Sequence, residues 1–220
     1  MPCNARKGRA ILTHRNLMIL ACVMAITKVV ELVRQSYSGV EAAAYEAFVA
    51  DDGALRQLGL EGREVLKHFP YLPGACAVMG ALLAVILQEK NKSVLLHVAA
   101  GMLAVEGRPV FGSPSGEVDW NSAFGNSNSS WDGHCWIVCG DWNADISVCR
   151  TAYSRGSPPA LASFIRREFG EGRGMLITRA DGELQYEPQY ILTEAQINGL
   201  ARGAMHLLDQ SLRKNRSSKG

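Results

Sequence analysis

Three side chains of this sequence are of the types that acyl-transfer chemistry uses. Cys76 lies in "PGACAVMGALLAVILQ", and His134 and Asp145 lie in "WDGHCWIVCGDWNADIS". Cys76 follows a Pro-Gly break and opens an apolar run, so it is expected at a helix N-terminus. There, unpaired backbone N–H groups and the helix dipole favour the thiolate. The same N–H groups could hold the oxyanion that forms when a thiolate attacks a carbonyl. His134 would take the thiol proton, and Asp145 would orient the ring and fix which nitrogen faces the sulfur.

The spacing of the last two is demanding. If Gly140-Asp141 is a two-residue hairpin turn, Cys139 faces Trp142, Trp136 faces Asp145 and His134 faces Ser147. His134 and Asp145 are then diagonal neighbours on one face of the sheet. Moving the loop to Asp141-Trp142 keeps both on that face, whereas a three-residue loop without a bulge separates them. Cys135 and Cys139 alternate to the other face, which makes them poor nucleophiles for this imidazole. Trp136 shares the face of His134 and is expected to wall the site against substrate, or to pack structurally.

These residues need elements to hold them. The first seventy residues read as a helical cap: helical apolar spacing from Arg9 to about Val33, a capping-box pair Ser38/Glu41, then one or two short helices before Pro70. Ala75 to Leu87 are apolar or Gly throughout, which suits a helix buried on nearly all sides. "SVLLHVAAGMLAVEGRPVFG" changes to strand character, and "GSPSGEVDWNSAFGNSNSS" has the composition of a loop, a lid or a plain insertion. "SPPALASFIRREFG" starts a helix, and "GMLITRADGELQYEPQYIL" reads as a hairpin about Asp181-Gly182. Thr193/Gln196 cap a closing helix. Helices followed by an antiparallel sheet and a last helix make one α+β domain: a cap over 1–70, nucleophile helix and sheet over 71–192, closing helix and tail over 193–220.

Bulk properties narrow the partners. The chain has 220 residues, 47% hydrophobic and 20% charged, enough for one core. A net charge of +2 and the lack of a basic face argue against nucleic acid. The tail "SLRKNRSSKG" is short and reads as solvated. The apolar run Leu17 to Ile26 is too short to span a bilayer and flows into "TKVVELVRQ" without a cleavage site, so a core helix is expected rather than a targeting segment or membrane anchor. Six cysteines with no export signal are expected as reduced thiols in a cytoplasm. Oligomeric state is left open.

The order of these features resembles the papain-like cysteine hydrolases: a Cys opening a buried helix, strands, a His-x-Trp strand, then an Asp on the next strand. It is similar in particular to the transglutaminase-like and arylamine acetyltransferase-like branches, and to uncharacterised bacterial families of that fold. "GACAVMGALLAVILQ" matches the nucleophile helix, "LLHVAAGMLAV" the strand after it, "GHCWIV" the histidine strand and "ADIS" the aspartate strand, together about Pro70 to Val148. The resemblance implies a papain-like α+β fold and a Cys76–His134–Asp145 triad. It implies an amide or peptide substrate and a thioester intermediate, with no metal or organic cofactor. Papain-type members place a glutamine just before the nucleophile, and "HFPYLPGA" has none. Tyr71, His68 or a backbone amide would have to replace it, which makes Tyr71 a substrate-side candidate. Ala77 also stands where many members have an aromatic residue.

Other readings use the same residues. Cys76 could be a small hydrophobe in a core helix, His134 a satisfied sheet histidine, and the protein a catalytically inactive binding module of this fold. His134, Cys135, Cys139 and Cys149 have zinc-ligand chemistry, but no C-x-x-C occurs, and His134 and Cys135 point to opposite faces. His97 reads as a core or strand-face residue.

Overall fold

The computed structural model describes residues 14–114, 118–125, 131–172, 174–180 and 182–217, without the side chains of 14–23, 212 and 214–217. The N-terminal thirteen residues, Asp181 and the last three residues of the basic tail lie outside that description.

Mixed helices and an antiparallel sheet make the fold α+β. Four helices come first: α1 (His14–Ser36), α2 (Gly39–Ala47), α3 (Asp52–His68) and α4 (Cys76–Lys90). Ser38 caps α2, accepting from the Glu41 amide at 3.2 Å. Asp51 caps α3 as a single helix, accepting from the Ala54 amide at 2.7 Å. β1 (His97–Val105) and β2 (Arg108–Phe111) form a hairpin. β3 (His134–Cys139) and β4 (Trp142–Asp145) form a second one, followed by α6 (Val148–Ala152) and α7 (Pro159–Phe169). Between the hairpins lies α5 (Trp120–Gly125), and β5 (Leu176–Arg179), β6 (Leu184–Ile191) and α8 (Glu194–Ser217) complete the chain. Thr193 and Gln196 make a reciprocal box at the start of α8, with the Thr193 amide 2.9 Å from Gln196 Oε1 and the Gln196 amide 3.4 Å from Thr193 Oγ1.

All nine residues of β1 and all six of β3 are buried. Strands apolar on both faces need cover on both sides, and the helices divide accordingly. One core gathers Leu58, Val65 and Leu66 of α3, Leu83 and Leu87 of α4, and Cys135 and Ile137 of β3. The opposite core gathers Val29 and Val33 of α1, Tyr45 of α2, Trp136 and Val138 of β3, and Phe164 of α7. The expected helical cap over residues 1–70 is therefore split: α1 and α2 pack on one face and α3 on the other.

Two further expectations are corrected. β5 and β6 do not pair with each other among the described residues; β5 pairs with β4, and β6 pairs with β1. A flat run of five strands would hold its edges about 19 Å apart. Yet Arg179 and Leu184 are linked by a short connection whose Gly182 amide donates back to the Arg179 carbonyl at 3.1 Å. The sheet must curl to bring its edges together. The expected loop between β2 and β3 contains α5. Asp119 accepts from the Asn121 and Ser122 amides at 3.1 and 3.2 Å, and Trp120 stacks on Tyr190 with centroids 5.0 Å apart. Loop composition missed this because the stabilising partner is distant in sequence. Residues 115–117 and 126–130 of that stretch lie outside the described residues. Among those described, no helix is long and apolar enough to cross a membrane.

Candidate active site

The β3–β4 register is the one the two-residue turn demands: Cys139 pairs with Trp142, Val138 with Asn143 and Ile137 with Ala144. Gly140 takes φ 58° at the first turn position, where a type II′ hairpin requires glycine. Counting back along the ladder puts His134 and Asp145 on one face, and their side chains meet with His134 Nε2 2.5 Å from Asp145 Oδ2. His134 is 1% exposed and Asp145 is fully buried.

Asp145 is held on both oxygens. Oδ1 accepts from the Ser147 and Val148 amides, each at 2.9 Å, and from Ser147 Oγ at 3.0 Å. Oδ2 takes His134 and, at 3.1 Å, the hydroxyl of Tyr186 on β6. Burial alone would raise the carboxyl pKa, but the charge and hydrogen bond of His134 and the two amides outweigh it and keep the group below its ordinary value. Burial and the neighbouring carboxylate push Tyr186 well up, so it stays a donor. Sequence reasoning missed Tyr186, since nothing local marks one strand tyrosine as the partner of a distant aspartate.

Close backbone approach sets where His134 begins its strand. His134 pairs with Gly101 of β1. A Cβ on Gly101 would lie 2.1 Å from the Glu187 carbonyl oxygen of β6. At Gly133 a Cβ would lie 2.8 Å from the Gly101 oxygen and closer still to the Trp131 ring. Any side chain at either position would force β1 and its neighbours apart and move the imidazole.

Cys76 is the first residue of α4, half-buried, after Ala75, which supplies no side-chain cap. The first amides of the helix therefore have no capping side chain. The approach to Cys76 is tied down from α6: Arg150 donates to the carbonyls of Leu66, Phe69 and Pro70, the latter two at 3.0 and 3.4 Å. Arg150 thus links the turn after Asp145 to the segment that delivers the sulfur.

The thiol of Cys76 is pulled well below its ordinary range. Hydrogen bonding from the Cys135 thiol is the largest cause. Burial opposes it, and the hydrogen bond and charge of His134 add to the lowering. Burial pushes the imidazole down, but Asp145 and then Cys76 overcome this and raise it to about 10. Because Nε2 is occupied by Asp145, Nδ1 is the nitrogen left for the sulfur. Cys135 itself is raised by burial and by Cys76, so it serves as the donor of that pair. Sequence alternation placed Cys135 away from His134 and gave it no role. Both nevertheless act on the Cys76 thiol, and Cys76 and His134 line one cavity.

Of the other expected site residues, Trp136 is buried, with Nε1 donating to Asn143 Oδ1 at 3.1 Å and its ring packed 5.0 Å from Tyr186. It backs the His134–Asp145 pair and does not line the cavity. Tyr71 is exposed and donates to the Arg150 carbonyl at 2.7 Å, away from the cavity lining. His68 stands on the surface, 3.8 Å from Glu64. The cavity at the sulfur is small, about 130 Å³. Gly74 and Cys76 form one wall, and Phe111, stacked 5.6 Å from the His134 ring, forms another. The turn from Thr151 to Ser157 closes it.

A larger cavity, about 450 Å³, opens beside His97, which pairs with Val138 at the other end of β3 and touches none of the three. His97 is packed against the rings of Tyr37 and Tyr45, and burial lowers its pKa to about 4. Among the described residues, no three His, Cys, Asp or Glu side chains converge as a metal-ligand set. Comparison of the chain with protein-family models, with curated proteins and with solved structures found no match.

Proposed function

We propose that the protein is a cysteine-dependent acyl-transfer enzyme of papain-like fold, acting on amide or peptide bonds. The observation that carries this reading is the buried contact of His134 Nε2 with Asp145 Oδ2, which leaves the second ring nitrogen to Cys76 at a helix start. A nucleophile, a base and an orienting carboxylate arranged in that order form the minimum apparatus for such chemistry.

Cys76 Sγ, as thiolate, attacks the substrate carbonyl carbon. The uncapped amides at the start of α4 supply hydrogen bonds to the oxygen that becomes negative. His134 passes its proton to the leaving amine as the C–N bond breaks, and a thioester on Cys76 remains. His134, now neutral, takes a proton from water or an acceptor amine, whose attack releases the acyl group and restores the thiolate. Asp145 stays ionised throughout and holds the ring. The chemistry needs Cys76 as a thiol, so we propose a reducing, cytoplasmic setting.

The test is competitive alkylation with iodoacetamide at pH 6, read by peptide mass mapping. Cys76 should label well ahead of every other cysteine, because His134 and the hydrogen bonds to its sulfur lower its pKa and keep it a thiolate at pH 6, where an ordinary thiol stays protonated. His134→Ala should abolish that lead. Even labelling of the cysteines would reduce the protein to a binding module.

A further inference from the structure

We propose that the cavity at Cys76 takes a small acyl donor bearing its own carboxylate, read by Arg155 together with the hydroxyl of Ser157. This rests on the reading of Cys76 as nucleophile and adds the substrate class.

The charges around the cavity point one way. A Cys76 thiolate and a His134 imidazolium offset each other at the cavity wall, and the other charged side chain of the lining is Arg155. No carboxylate lines the cavity. Asp145 is sealed behind His134, and Asp132, next in chain to Gly133, is exposed and outside the lining. Arg155 makes no ion pair or hydrogen bond among the described residues. The other exposed arginines nearby are engaged: Arg166 with Glu171, and Arg167 with Glu106.

The unused polar group beside it is the second observation. Ser157 Oγ is one of two buried side-chain oxygens without a hydrogen-bond partner among the described residues, and Ser157 lines the cavity. A buried hydroxyl without a partner is unfavourable by about 1–3 kcal/mol, a penalty that a bound acceptor removes. Ser154, in contrast, already donates to the Thr151 carbonyl at 2.8 Å. The turn is held by successive hydrogen bonds, Ser154 amide to Thr151 and Ser157 amide to Ser154 carbonyl, at 3.1 and 3.2 Å. Arg155 and Ser157 are thus carried on one defined turn. Arg155 and Ser157 both line this small space, and a guanidinium with a hydroxyl near it suits a carboxylate better than an apolar side chain. A volume of about 130 Å³ leaves room for a short acyl group.

The test compares two alkylating agents of nearly equal size on Cys76 of the intact chain: iodoacetate, which carries the carboxylate, and iodoacetamide, which does not. The iodoacetamide rate corrects for any change in the thiol itself. Arg155→Gln should lower the iodoacetate-to-iodoacetamide rate ratio about tenfold. Ser157→Ala should lower it by a smaller factor, and added salt should compress the wild-type ratio. An unchanged ratio in Arg155→Gln overturns the proposal while leaving the nucleophile intact. If Cys76 shows no lead over the other cysteines with either reagent, the nucleophile reading fails and this one falls with it.

Discussion

Tyr186 and His134 converge on the same oxygen of Asp145, Oδ2, from β6 and β3, at 3.1 and 2.5 Å. β6 lies beyond β1 from β3, so the contact joins strands that do not pair. Tyr186→Phe removes one hydrogen bond to a buried charged acceptor and leaves the other. It should lower stability by about 1.5–3 kcal/mol. Urea unfolding checks this, and an unshifted midpoint would show that the hydroxyl contributes nothing.

Asp145→Asn keeps the size and removes the charge that holds His134 raised. The imidazolium weakens, the Cys76 thiol regains a higher pKa, and its alkylation at pH 6 should slow at least about tenfold. The rate–pH profile should shift towards higher pH. A profile identical to wild type would mean that Asp145 does not govern the pair.

The pH dependence of stability follows from the direction of each shift. His134 is raised to about 10, so its contribution is present below pH 6.5 and lost as pH rises through the folded value. Cys76 is lowered, so its contribution is present above its ordinary value of 9.0 and lost as pH falls through the folded value. Between pH 6.5 and 9.0 the folded pair holds one proton and so does the unfolded pair, and the two slopes cancel. Cys76→Ala uncovers the His134 part. Relative to wild type, the variant should lose stability from pH 6.5 upward, by at most about 1.4 kcal/mol per pH unit. Parallel curves from urea titrations over that range would refute the ion pair.

Arg150→Met should loosen the segment before Cys76 without touching the reacting groups. Loss of three donated hydrogen bonds should destabilise the protein by about 2 kcal/mol and slow Cys76 alkylation more than thiol acidity explains. Hydrogen exchange at residues 69–75 reports the loosening. Protection equal to wild type would assign the tether elsewhere.

The β3–β4 hairpin was readable in the sequence because one two-residue turn and the alternation of side chains fix the register locally. Cys76 was readable because a Pro-Gly break before an apolar run marks a buried helix start. The pairing of β5 and β6 was not, since adjacency in sequence favours a hairpin while the curl of the sheet sends each strand to a different neighbour. Nor does an apolar pattern say which face a helix covers, which is why α3 parted from α1 and α2. Tyr186, Arg150 and the turn around Arg155 and Ser157 were invisible for the same reason: each acts on residues far away in the chain.

Asp145 takes both amides and the hydroxyl on Oδ1 from its own strand-to-helix turn, at Ser147 and Val148, within three residues along the chain. The carboxylate is therefore clamped by local backbone before any substrate arrives. Little solvent or side-chain reorganisation is left for the reaction itself, and the imidazole inherits a fixed heading from a corner of the main chain.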